Sequence, residues 1–597
     1  MKKLILFIFS ITFVVGCADL DLQPTNMIAE DAVKKDPKLV EAFLTKIYAN
    51  AVFEPNEMAS IPQQNRLTDG VVGGEYTLMA PWQGGIQASA NIPTSAGSHG
   101  LINRFHYGNI RSANEIIAIL AEASFDPATV AAQTAEAKFL RAWMYLDMAK
   151  RYGGMPIEDT AKSIDADYDE LMIPRSTLKQ TYDFIISDLD AAIADLPGVA
   201  LNGKATKWAA HALKSRAALY AARIAKYHPQ SSNGLTSIPA GDANAYYQMS
   251  HASASAVIDG GKHPLHRGGG TYQKTFGEIF YQGTNSEHIF VEEYNLALGK
   301  THTWSGYGMP QGFNVGWGSN MHPYIASDAR FEHKDGSPGD KYHNLFNNRT
   351  FFDLEEVIYT KDPRYLATFF TPEEVFQGRE VWMHTGSVGG GNFAGRAGNP
   401  APWLSPPRNR NRGGRLLQKR IDPGIELPPF GTDEMPYIVL RTGEMYLNGA
   451  EAAFEMNLPV RAKELINTLR GRVGMPPKDN LTLDLIKNER FVELFAENHH
   501  YWDLRTWRDA EAAIHMKTKW GTKWFRRKSD GKYKARQWRW NFSQNTPFLE
   551  RMYWLPFGNG RISDNPNIVE NPGYYCLLYT SDAADDLLCV DLGGRRI

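Results

Sequence analysis

Cysteine is nearly absent. The 597 residues hold three, Cys17, Cys576 and Cys589, so the long stretch between Cys17 and Cys576 has no internal disulfide to staple it. Stability must come from a large packed core. The chain is well past the roughly 250–300 residues at which one core stops growing, which predicts two intergrown subdomains. Net charge is equally scarce: 64 Lys and Arg stand against 66 Asp and Glu, leaving a formal charge of -2. No whole-protein field is available to steer a polyanion, which demotes nucleic acid as a partner. A long hydrophobic run is missing too. The apolar run from Leu4 to Gly16 would reach only about 20 Å as a helix at ~1.5 Å per residue, too short to cross a bilayer.

That short run is nevertheless informative. Lys2 and Lys3 precede it and Val14-Val15-Gly16-Cys17 closes it, the order of a secretory signal peptide ending in a lipobox. Cleavage before Cys17 would remove residues 1–16 and leave Cys17 as a lipidated N-terminus. The acyl chains would hold the protein on a membrane at ~0.8 kcal/mol per buried CH2. A plain signal peptide with Cys17 present by chance is the competing reading.

Apolar residues recur at helical spacing over much of the chain. From Ser176 to Pro197, Leu178, Tyr182, Ile185, Leu189, Ile193 and Leu196 share a face, with Ser176 as N-cap and Pro197 as stop. The next face, Ala209, Leu213, Ala217, Tyr220 and Ile224, follows after a short connection, which predicts an antiparallel helical hairpin. Further helices are expected over Glu136–Tyr152, Thr442–Met456, Val460–Val473 and Thr482–Glu497. The fold class is therefore mainly α, a tetratricopeptide-like scaffold of helical hairpins without a strict repeat period. It carries long irregular loops and a few short strands such as His288–Tyr294. Those loops fill Gly260–Pro436, rich in Gly, Pro, Asn and aromatics, and binding usually sits on such loops.

No catalytic motif survives inspection. The run Gly389-Gly390-Gly391-Asn392-Phe393-Ala394-Gly395 lacks the Lys-Ser/Thr of a phosphate loop. Asp165, Asp167 and Asp169 alternate like an EF-hand, but Glu170 stands where Gly is needed and Ser176 where Glu is needed, so a solvated acidic loop is the better reading. Glu292 and Glu293 are strand neighbours that point to opposite faces and cannot flank one glycosidic bond. His499-His500 lacks the i, i+4 spacing of paired metal ligands. Neither a cofactor nor a metal is expected.

Several motifs, taken in order, resemble the SusD/RagB family of nutrient-binding lipoproteins. They are ADLDLQPTN after Cys17, YGNIRSANEII (Tyr107–Ile117), AEAKFLRAWMYLDMAKRYGGMPI (Ala135–Ile157), GKATKWAAHALKSRAALYAAR (Gly203–Arg223) and KDPRY (Lys361–Tyr365). LRTGEMYLNGAEAAF (Leu440–Phe454), NERFVELFAENHHYWDLRTWR (Asn488–Arg508) and LPFGNGRISDNPNIVENPGY (Leu555–Tyr574) close the series. The resemblance divides the chain into a helical region, 17–260, and a region with binding loops and closing helices, 261–574. The remaining residues, 575–597, resemble read-through of a sequencing adapter, and Cys576 and Cys589 fall within them.

The resemblance implies a SusD-like fold and an outer-membrane lipoprotein, anchored by lipid and facing outward, that acts as a lid on a SusC-like, TonB-dependent transporter. Its ligand would be an oligosaccharide, sometimes a peptide, with no bond broken; a glycoside hydrolase or a pure scaffold are the rival classes. Sugars offer flat C–H faces rimmed by hydroxyls, so their sites need aromatic platforms beside Arg, Asp or Asn. Two loops have that chemistry, an early one and a mid-chain one, as the family's sites do. One carries Arg66, Asp69, Tyr76 and Trp82; the other carries Trp304, Tyr307, Phe313, Asn314, Trp317 and Asn320. The expected ligand-binding set is Arg66, Asp69, Trp82, Trp304, Tyr307, Asn314 and Trp317, with Trp304 and Trp317 as exposed platforms. Trp382 and Trp403 are weaker candidates. Trp520, Trp524, Trp538 and Trp540 suit a structural or partner-facing role, and Glu489, Arg490, Glu493, Asp503 and Arg505 suit a capping and ion-pair network.

Overall fold

The computed structural model describes residues 30–53, 71–73, 104–388, 396–397, 414–539 and 548–574, with short breaks at 164, 202, 311, 314–317, 319–320, 347, 349, 516, 518–519 and 528. Its principal helices are α1 (Pro37–Asn50), α2 (Tyr107–Ala121), α3 (Pro127–Tyr152), α4 (Leu178–Asp195), α5 (Lys207–Tyr227), α6 (Ala243–Asp259), α7 (Tyr272–Tyr281), α8 (Trp304–Gly308), α9 (Pro363–Thr368), α10 (Thr442–Glu455), α11 (Pro459–Arg472), α12 (Leu483–Glu493) and α13 (His500–Thr506). Each of α2 to α6 packs on the one before it, α10 continues the row from α6, and α11 and α12 pack on α10. This is the hairpin scaffold expected from the periodicity.

Local chemistry fixes the ends. Asp126 accepts a hydrogen bond from the Thr129 N–H at 2.9 Å and Pro127 opens the first turn, so α3 begins at Pro127 rather than at Glu136. It stops at Gly153, whose φ of 86° suits glycine. Gly154 is equally constrained, since a Cβ there would lie 2.1 Å from the Ser176 carbonyl oxygen. The N-cap of α4 is Thr177, one residue later than expected, because Thr177 and Gln180 form a reciprocal capping box. Helix α12 ends at Glu493, short of Glu497, and the chain then turns through Ala496 and Asn498 at positive φ.

The region after residue 260 is more ordered than its composition suggests. It contains α7 and a series of short strands: β2 (His288–Glu292), β3 (Met321–Pro323), β4 (Phe369–Phe370), β5 (Val375–Phe376), β6 (Arg379–Trp382), β7 (His384–Val388), β8 (Arg396–Ala397), β9 (Leu416–Leu417) and β10 (Tyr437–Arg441). An early strand β1 (Val71–Gly73) and two late ones, β11 (Trp520–Arg527) and β12 (Tyr533–Arg539), complete the set. The ladders are small: β1 with β3, β2 with β10, β4 with β9, β6 between β5 and β8, and β11 between β12 and β7. One hydrophobic cluster runs from Val33 to Phe557, so the stretches before and after residue 260 share a core.

Buried charge stitches these stretches together. On α10, Glu444, Asn448 and Glu451 face one side at i, i+4, i+7 spacing. Glu444 accepts from Arg216 at 2.7 Å and Glu451 from Arg223 at 2.6 Å, both on α5, while Asn448 accepts from Arg490 at 2.7 Å. Asp503 joins Arg223 at 2.7 Å to Arg490 at 2.9 Å. A second knot centres on Glu493, which meets Arg364, Arg441 and Arg472, with Glu489 between Arg364 and Arg470. The ion-pair expectation thus holds for Glu489, Arg490, Glu493 and Asp503. Arg505 departs from it: its guanidinium donates to the Tyr553 carbonyl and lies over the Tyr501 and Trp502 rings, with no carboxylate paired to it among the described residues. The KDPRY motif is a junction of the same kind. Lys361 donates to the carbonyls of Asp328, Phe331 and Gly339, Asp362 caps α9 through the Arg364 N–H, and Pro363 occupies the first turn.

Candidate functional site

The strands β1 and β3 pair antiparallel, with Val71 opposite Pro323, Val72 opposite His322 and Gly73 opposite Met321. Antiparallel register puts the chain leaving Gly73 and the chain entering Met321 at the same end of the ladder. The first leads toward Tyr76 and Trp82, and the second comes from Asn314, Trp317 and Asn320. The ladder therefore sets Gly73 beside Met321, although more than two hundred residues separate them in sequence. Arg66, Asp69, Tyr76, Trp82, Asn314, Trp317 and Asn320 themselves lie outside the described residues, as do Trp403, Trp540 and the side chains of Trp382 and Trp538.

The described part of the mid-chain loop is built on α8. Its N-terminus is held by Asp433, whose Oδ2 accepts from the Ser305 N–H at 2.9 Å, and by backbone bonds between His302 and Asp433. Burial raises the Asp433 carboxyl despite its Ser305 donors. The neighbouring His302 ring meets the Met435 carbonyl through Nε2 at 2.8 Å and accepts the Trp304 N–H at Nδ1; burial lowers it to about 4, so it is a neutral structural imidazole.

Trp304 is not an exposed platform. Its exposure is 0%, its indole N–H donates to the Lys419 carbonyl at 2.8 Å, and the Arg420 guanidinium lies over its ring at 5.1 Å. The glycines around it let α8 press against its neighbours instead of lifting the ring into solvent. A Cβ on Gly308 would meet Ile421 at 2.9 Å, and one on Gly306 would meet Phe430 at 2.5 Å. Phe313 is buried too, edge-on to Phe376 at 5.5 Å and beneath Arg379 at 4.2 Å. We expect Trp304→Ala to lower folding stability by about 3–5 kcal/mol, as other large-to-small core substitutions do. Chemical denaturation checks this, and a loss below about 1 kcal/mol would contradict the burial.

Tyr307 is the member of the predicted set that the structure leaves half-exposed. Its ring stands edge-on to Phe430 at 5.1 Å, and Phe430 is 38% exposed. This aromatic pair spans α8 and the loop before β10, and sequence reasoning missed Phe430 because its partner lies more than a hundred residues away. The other flagged groups take structural places. Glu292 meets Lys300 at 2.8 Å, His500 lies edge-on to Phe491 at 4.7 Å, and Trp524 is buried with its indole N–H on the Gly414 carbonyl at 2.7 Å. Trp520 is exposed at the start of β11.

Two family models match the chain: the SusD family over residues 286–574, and a family described as starch-binding and associating with the outer membrane over residues 20–219. Together the two models cover most of the chain, which is SusD-like over both stretches. A SusD-like protein of Bacteroides ovatus is 22% identical over 518 residues, covering 85% of this chain and 82% of its own length. Among solved structures, a SusD-like protein from Bacteroides fragilis superposes with a TM-score of 0.69 at 24% identity, covering 92% of this chain and all of its own. A SusD-like carbohydrate-binding protein from the same species gives 0.64 at 19% identity, over 89% and 99% of the two chains. The SusD-like fold, a helical scaffold with irregular insertions, is thereby established.

Proposed function

We propose that this SusD-like protein captures an oligosaccharide at the outer membrane and delivers it, uncleaved, to a SusC-like TonB-dependent transporter. The observation that carries the reading is the β1–β3 ladder, which supports a single site composed from the Trp82 loop and the Trp317 loop. Loops with aromatic rings and flanking Arg, Asp and Asn can supply stacking and hydroxyl contacts together, as sugar binding requires. The family description, starch-binding and associating with the outer membrane, and the likeness to a carbohydrate-binding protein of Bacteroides fragilis support the same reading.

Cys17 would supply the anchor. Among the described residues no helix is long and apolar enough to cross a membrane, so a lipid on Cys17 suits a protein held at the surface. The reading is tested by incubating the protein with a panel of oligosaccharides and measuring both binding and the products. Binding with every oligosaccharide recovered intact is the expected result. Turnover would contradict the receptor role, and binding of peptides alone would favour the oligopeptide-binding alternative.

A further inference from the structure

A cleft of about 290 Å³ opens between α7, the β5–β6 turn and the segment after β9, and none of its lining belongs to the paired loops. Its size is at the small end of ligand pockets, which run from about 300 to 1,000 Å³. We propose that this cleft is a second binding site, for a neutral polyhydroxylated ligand such as the end of a sugar chain. The proposal does not depend on the loop site.

Two orphaned acceptors carry it. The Gln377 amide donates through Nε2 to the carbonyls of Pro423 at 3.1 Å and Ile425 at 2.8 Å, which fixes which end is oxygen. Its Oε1 is shielded from bulk water and has no partner among the described residues. Gln418 repeats the pattern, donating to Glu374 at 2.9 Å and leaving its own Oε1 shielded and without a partner among the described residues. Native proteins leave few buried acceptors unpaired, and two beside one cleft can be paired by donors from outside the chain once the side chains that cover them give way.

The charged groups of the lining are engaged elsewhere, which favours a neutral donor: the Arg420 guanidinium lies over the Trp304 and Tyr437 rings. Glu374 is occupied by Thr371 and Gln418, and burial pushes its carboxyl up to about 7, so its negative charge is only partial near neutral pH. Lys274 at the mouth reaches Glu278 at 3.7 Å. Tyr281 supplies a half-exposed ring on the cleft wall; Gly277 stands one turn before it, where a Cβ would lie 3.0 Å from that ring, so the glycine lets the ring settle against its helix. A C–H face on Tyr281 with hydroxyls donating to Gln377 and Gln418 satisfies all three groups. Backbone strain gathers here as well. Gln377 and Arg420 in the lining, and Glu373 beside it, adopt φ of 49°, 69° and 64°, and such conformations collect at ligand clamps.

The test uses the full chain and a panel of neutral oligosaccharides: α-glucan, β-glucan, mannan, xylan and galactan fragments. Calorimetric titration reads the stoichiometry for each. At least one fragment is expected to bind at two sites. Tyr281→Ala should weaken one of them at least tenfold. So should Val375→Trp, which starts from a side chain 69% exposed on β5, removes no side-chain hydrogen bond and plugs the mouth. The Trp82→Ala/Trp317→Ala variant should abolish only the other. If both cleft variants bind as the wild type while the loop variant loses all binding, the cleft proposal is overturned and the loop reading stands. Loss of all binding in the cleft variants with none in the loop variant does the reverse. No binding by any fragment overturns both, and cleft-dependent binding of peptides alone overturns the sugar assignment.

Discussion

Replacing Glu493 with alanine should cost this protein about 3–5 kcal/mol, the usual penalty for breaking a buried ion pair by removing one partner. Domains are stable by only about 5–15 kcal/mol, so the loss consumes much of the margin. Glu493 accepts from Arg472 at 2.5 Å, Arg441 at 2.8 Å and Arg364 at 3.1 Å, and all four side chains are almost wholly inside. Without it, Arg364 keeps Asp362 and Glu489, and Arg441 keeps Glu497 and a share of Glu287, but among the described residues Arg472 is left with that same Glu287 as its one carboxylate. The deficit of one negative charge is shared by three desolvated cations. Chemical denaturation of the wild type and of Glu493→Ala measures the difference, and a change below about 1 kcal/mol would show that the cluster is not coupled as its geometry indicates.

The same cluster sets the acid limit. Burial works to raise the Glu493 carboxyl, yet the guanidiniums of Arg472, Arg441 and Arg364 outweigh it and hold it well below the usual range. Glu497 is likewise lowered to about 2, as Arg441 and Lys419 outweigh its burial. A carboxyl depressed in the folded state stabilises fully above its unfolded value, about 4.3, and that contribution is lost as pH falls toward the folded value. The melting temperature should therefore hold from pH 7 to about 5 and fall steeply between about pH 4.5 and 2.

The second large effect concerns location. Cys17→Ala should move the protein from the membrane fraction to the soluble exported fraction, because several acyl chains at ~0.8 kcal/mol per buried CH2 are replaced by nothing. Fractionation in a strain lacking the transporter separates lipid anchoring from docking. A variant that still sediments with membranes there would mean that Cys17 is not the anchor.

What could be read from the sequence follows from how local each interaction is. Helices α4 and α5 were legible because Leu178 to Leu196 and Ala209 to Ile224 repeat within one turn of themselves, and their caps lie beside them. The resemblance carried the ion pairs of Glu489 and Asp503 because the motifs preserve both partners in order. Trp304 was misjudged for the opposite reason. A tryptophan among glycines looks exposed until the Lys419 carbonyl, 115 residues away, is seen to receive its indole N–H. Tyr307 and Phe430, and Gln377 and Gln418, are likewise brought together by loop packing that no periodicity records.

We propose that Trp82 and Trp317, in the stretches that adjoin β1 and β3, bind the glycan. The direct measurement is calorimetric binding of the preferred oligosaccharide to Trp82→Ala/Trp317→Ala beside a thermal melt. Stacked rings at the centre of a site are worth ~2 kcal/mol or more, so affinity at that site should fall at least tenfold while the melting temperature holds. Unchanged affinity with a lowered melting temperature would contradict the account and return both residues to the core.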